Sequence, residues 1–125
     1  MPITDFHYDN HIFSAREVGH IDKADAERWV QALRQYAAAS PTPIIAIVDA
    51  LEVTFVSAGA RMTFAEASKT PNLQAICVAT QDMLISQTAR VIGMLGERGR
   101  THIFETVDEA REFAEELIAQ LAQEH

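Results

Sequence analysis

The side chains best placed to do chemistry lie between Pro43 and Arg61, where an apolar run ends at Asp49 and is followed by Thr54, Ser57, Gly59 and Arg61. A carboxylate closing a buried parallel strand stands at the edge where open α/β sheets present their ligands. Asp49 has two uses there. It can accept backbone N–H bonds in the strand-to-loop turn, which is favoured, or it can touch a ligand directly. Ser57 is divided in the same way. As an N-cap its hydroxyl accepts from a first-turn amide, the favoured role; as a modified residue it would hold a phosphate beside the helix dipole. Arg61 and Arg90 can bring positive charge to this edge, although helical arginines more commonly face solvent.

These residues do not assemble into a reaction. His7, His11, His20, His102 and His125 lack metal-ligand spacing, and the single cysteine, Cys77, removes the common zinc patterns. His7 and His11 can approach across a hairpin, but exposed strand histidines are the simpler account. Gly93, Gly96 and Gly99 fall in or just after a helix, so the dinucleotide and phosphate-loop patterns fail on context. Ser57-Ala58-Gly59 lacks the first glycine of a hydrolase elbow. An enzyme using Asp49 and His102 would need both in one cleft with perturbed pKa values. No catalytic, metal or cofactor-binding residue is assigned, and no cofactor is expected.

The elements that position these residues follow from periodicity. Residues 3–8 and 11–18 read as two strands joined through Asp9-Asn10, with Ile12, Ser14, Arg16 and Val18 on one side of the second and Phe13, Ala15 and Glu17 on the other. That mixed alternation suits a position toward a sheet edge. Asp22 caps a helix in which Ala26, Trp29, Val30, Leu33, Tyr36 and Ala37 recur at helical spacing, for core packing rather than as an exposed aromatic anchor. Ile44 to Val48 is a central strand, closed by Asp49. Ser57 starts a helix running to about Ser68, weakened by Gly59 in its first turn. Leu73 to Ala79 is another buried strand. A helix begun by Thr80 and Asp82 carries Leu84, Ile85, Thr88, Val91, Ile92 and Leu95 on one face. Thr101 to Glu105 is a short strand, and Thr106 to Glu109 reads as a capping box for a last helix with an acidic outer face.

A hairpin followed by strands alternating with four helices predicts an α/β sandwich with a mainly parallel sheet of about five strands and right-handed crossovers. The 125 residues are expected to form a single domain, 1–125. An apolar fraction of 48% and a charged fraction of 22% are those of an ordinary globular chain. The net charge of −8 argues against general nucleic-acid binding. Arg98, Arg100 and His102 read as a solvated loop rather than a basic patch. Cys77 sits in an apolar run as a small buried hydrophobe with no partner for an internal disulfide. With no secretory leader and no membrane span in view, the expected location is the cytoplasm.

Several segments together resemble the SpoIIAA-like branch of the STAS domains, grouped with the Sec14-like fold. They are Val18-Gly19-His20-Ile21-Asp22, Ala26-Glu27-Arg28-Trp29, Ile47-Val48-Asp49 and the ending from His102 to Phe113. The resemblance spans nearly the whole chain. It implies a non-enzymatic regulatory or protein-interaction domain, related to anti-sigma factor antagonists, that contacts a protein partner or self-associates as a homodimer. In typical members a serine at the start of the helix after the central strand is phosphorylated. Here Thr54-Phe55 aligned without a gap sets Ser57 at the family's aspartate and Gly59 at its serine, so phosphorylation is not carried over. The expected contact surface is Asp49, Thr54, Ser57, Gly59 and Arg61. The alternative is a small-ligand or lipid carrier of Sec14-like type, with an apolar pocket bearing Met62, Phe64, Met83 and Met94.

Overall fold

In the computed structural model, which describes residues 2–124, the chain opens with the expected hairpin of β1 (Ile3–Asp9) and β2 (Ile12–Ile21). Its turn is Asn10-His11, one residue later than Asp9-Asn10. Both residues take positive φ, 53° and 66°, as a two-residue turn matched to strand twist requires. There follow α1 (Lys23–Ala39), β3 (Ile44–Val56), α2 (Ala58–Ala67), β4 (Leu73–Ala79), α3 (Met83–Leu95), β5 (Thr101–Phe104) and α4 (Val107–Glu124). The strands lie in the order β1-β2-β3-β4-β5, antiparallel in the hairpin and parallel elsewhere. Class, helix number and sheet type are those expected.

Caps set the helix starts. The Asp22 carboxylate accepts from the Asp25 amide and the Asp25 carboxylate accepts in turn from the Asp22 amide, both at 3.0 Å. The Asp25 amide also holds the Asp22 carboxyl below the ordinary range. Asp82 accepts from the amides of Leu84 and Ile85 at 2.8 and 3.1 Å. Of the box predicted for α4, the Thr106 hydroxyl accepts from the Glu109 amide at 3.1 Å, but the Glu109 carboxylate accepts from that hydroxyl at 3.0 Å rather than from the Thr106 amide.

Helices cover both faces of the sheet. Ile44, Ala46 and Val48 of β3 pack toward α1, α2 and α3, while Ile45 and Ile47 pack with Cys77 under Ala110 and Ala114 of α4. That double burial explains the unbroken apolar run. It also pushes the Cys77 thiol up to about 12, so this cysteine is inert at neutral pH.

Three expectations are corrected. β2 is an interior strand between β1 and β3, and its inward side, Phe13, Ala15 and Glu17, is wholly buried. Its alternation is mixed because an acid lies on the buried side. Asp49 does not end β3, which continues to Val56. Between Arg16↔Asp49 and Val18↔Glu52, and again between Gly19↔Val53 and His20↔Phe55, β3 takes one residue more than β2. These bulges set Ala50, Val53 and Val56 inward at a spacing of three, which period-two reading does not register. Gly19, at φ 74°, sits beside the second bulge, in the left-handed region that favours glycine.

The third correction concerns α3. Its buried residues are Ile85, Ala89 and Gly93, whereas Leu84, Val91 and Leu95 are exposed. The helix is apolar around most of its circumference, so periodicity alone cannot choose the inner side. Close approach decides it: a Cβ on Gly93 would lie 3.0 Å from the Thr101 Cβ of β5.

Candidate functional site

At the carboxyl end of the parallel strands, the Asp49 carboxylate accepts from the Leu51 amide at 3.2 Å. β4 pairs with β3 no further than Asp49↔Ala79, and Asp49 serves an amide just beyond that limit. This is backbone capping inside a strand rather than a strand-to-loop turn. Ser57 caps α2, its hydroxyl accepting from the Ala60 amide at 3.2 Å while its own amide donates to the Ile21 carbonyl at 3.0 Å. Arg61 donates through Nε to the Val56 carbonyl at 3.0 Å, with its guanidinium carbon 5.8 Å from the centre of the Phe55 ring. A Cβ on Gly59 would come within 3.1 Å of the Lys23 Cβ, so the first turns of α1 and α2 meet there. Thr54 is exposed. Thr54, Ser57, Gly59 and Arg61 therefore share one strand-to-helix junction, with Asp49 set back in the strand before both bulges.

The cap has a measurable consequence. Ser57→Ala should cost about 1 kcal/mol and lower the melting temperature by roughly 3–5 °C, while Ser57→Asp should keep most of the stability. Thermal melts of the two variants side by side check this; equal losses would show that the hydroxyl does not cap α2.

The histidines are dispersed. His102 packs on Phe113 of α4 with ring centres 4.7 Å apart, and its strand is separated from β3 by β4, so it does not join Asp49 in a cleft. His11 Nδ1 lies 3.3 Å from the Thr42 hydroxyl, His7 is exposed and paired with Ser14, and His20 packs on Phe55. His125 lies outside the described residues. Among the described residues no group of three or more His, Cys, Asp or Glu could hold a metal ion.

The interior holds a feature that sequence reasoning passed over. Between the sheet and α1–α3 lies a cavity of about 60 Å³, lined mainly by apolar side chains such as Val53, Phe64, Ile85 and Ile92 but also by Glu17 and Trp29. Glu17 is 4% exposed and Trp29 1%. Among the described residues neither Glu17 Oε2 nor Trp29 Nε1 has a hydrogen-bond partner. Loss of hydration, assisted by the nearby negative charge of Asp25, pushes the Glu17 carboxyl up to about 8, so it is protonated at neutral pH. The available signal was the side of β2 that Glu17 shares with Phe13 and Ala15.

The apolar pocket expected around four residues is corrected by this cavity. Only Phe64 of the four lines it. Met62 faces an open groove between α1 and α2, Met94 a shallow surface beside Thr101, and Met83 is 76% exposed. Met83 and Met94 instead join Leu84, Val91 and Leu95 in an exposed apolar stripe on α3. None of the four helices is long and apolar enough to cross a membrane among the described residues.

No family model and no curated protein matches the sequence. Solved structures do match its fold. One is an uncharacterised protein with a SpoIIAA-like fold from Shewanella loihica, superposing with a TM-score of 0.66 at 19% identity over 90% of this chain and 93% of the other. Another is an anti-sigma factor antagonist from Mycobacterium paratuberculosis, with a TM-score of 0.66 at 18% identity over 90% of this chain and 94% of the other.

Proposed function

From a SpoIIAA-like fold with these surfaces, we propose a non-enzymatic regulatory module that works by protein contact, docking a second copy of itself or another protein through the outer side of α3. The carrying observation is that α3 is apolar on two sides and buried on one. At 100° per residue, Met83, Met94, Val91, Leu84 and Leu95 fall within one sector of about 120° that is shared with a single polar residue, Gln87, and all five are exposed. A surface helix normally carries polar residues there, so such a stripe reads as a contact surface. The similar fold of a protein described as an anti-sigma factor antagonist supports the same reading. The junction of Thr54, Ser57, Gly59 and Arg61, with Asp49 behind it, is a second part of the proposed contact surface.

The test is self-association. Leu84→Asp combined with Val91→Asp should leave the melting temperature nearly unchanged, since exposed substitutions are usually worth within about 0.5 kcal/mol. Sedimentation equilibrium should show the wild type associating with concentration and the double variant remaining monomeric. Identical monomeric behaviour of both at the highest soluble concentration would remove the homodimer.

A carrier role for a small ligand is supported by one separate observation, the cavity beneath α3 with its two unpartnered polar atoms.

A further inference from the structure

We infer that this cavity recognises the uncharged head of a small amphiphile, a group that accepts a hydrogen bond from the Trp29 indole and exchanges one with the Glu17 carboxyl. This deepens the carrier role and rests on it. An aliphatic alcohol or a primary amide has the required chemistry, because each offers an acceptor lone pair and a donor from one neutral centre.

The two protein groups set the selection. Indole Nε1–H can only donate, so the ligand must present an acceptor to it. Among the described residues Glu17 is the only titratable side chain in the lining, and in its protonated form it can donate one hydrogen bond and accept another. A ligand carboxylate would bring an unpaired negative charge into a lining that contains no cation among the described residues. A ligand ammonium has no lone pair for the indole. A pure hydrocarbon would leave both buried groups unpaired, at a desolvation cost that the amphiphile's head removes.

The space limits the head. With roughly 10–15 Å³ of such cavity space needed to hold one water, about 60 Å³ accommodates a head of a few heavy atoms rather than a whole lipid. Thr88 and Ile92 of α3 and Thr101 of β5 also line the cavity and are only partly buried, so an apolar tail can leave between α3 and the sheet there.

Trp29 makes the test direct, because it is the only tryptophan and its emission reports the cavity alone. Hexanol and hexanamide, titrated at neutral pH, should shift that emission saturably and raise the melting temperature. Hexanoate and hexylamine, both charged at that pH, should do neither. Glu17→Leu should weaken hexanol binding by about tenfold or more without lowering stability, and Glu17→Gln, which keeps a donor and an acceptor, should retain binding. If hexane binds the wild type as tightly as hexanol, or if Glu17→Leu binds hexanol unchanged, recognition of the head is wrong while the carrier role stands. If none of these probes binds the wild type, both fall.

Discussion

Glu17→Gln is expected to leave stability nearly unchanged near pH 5 and to raise it by about 4–5 kcal/mol near pH 9. The sign follows from proton counting. In the unfolded chain the carboxyl releases its proton near the ordinary value of 4.5, whereas in the fold it keeps it until about 8. Between those values the native state binds more protons than the unfolded one, so stability falls as pH rises. The loss is small below 4.5, accumulates at about 1.4 kcal/mol per pH unit through the window, and is complete above 8. At pH 7 it amounts to about 3 kcal/mol, a large share of the 5–15 kcal/mol typical of a domain. Gln has nearly the same shape and remains buried but does not ionise, so its curve against pH should lack this slope. Denaturant melts of both proteins from about pH 5 to about pH 9 decide the matter. Parallel curves would mean that Glu17 is hydrated in solution, and its burial against Trp29 would be wrong.

Gly96→Ala is expected to cost about 3 kcal/mol or more, enough to lower the melting temperature by roughly 10 °C. Gly96 caps α3 where it meets the end of α2, and the space there excludes a side chain. A Cβ would overlap the Ser68 hydroxyl and the Ala65 carbonyl oxygen. Neither can yield cheaply. Ser68 is fully buried, donates to the Ala65 carbonyl at 2.7 Å and accepts from the Glu97 amide at 2.7 Å. The variant must either part the two helix ends or break that pair of bonds, leaving buried polar groups unsatisfied. Gly99→Ala is a useful contrast, since Gly99 has open space around it and only its φ of 82° opposes a side chain. Its cost should be about 1 kcal/mol. Equal thermal shifts for the two variants would contradict the close contact between α2 and α3.

The locally encoded features were legible in the chain. The caps at Asp22, Ser57, Asp82 and Thr106, the run Leu73–Ala79 and the mainly parallel α/β order can each be read from a few adjacent residues, because hydrogen bonds within one turn and periodic burial set them. The SpoIIAA-like fold followed from that order together with soft motifs spread over nearly the whole chain. Tertiary structure decided the rest. β3 runs on to Val56 because β2 remains beside it, and its two bulges displace the inward residues from period two. The inner side of α3 was chosen by the small residues Ala89 and Gly93, which let it lie close to the sheet while five large apolar side chains remain in solvent. Asp49, which the sequence marks as the end of a strand, became a backbone cap within one. Glu17, an unremarked acid on β2, became the buried polar group of the cavity. Its proton affinity depends on α1 and α3 closing over it, and the spacing of residues within β2 carries no information about groups brought there from elsewhere in the chain.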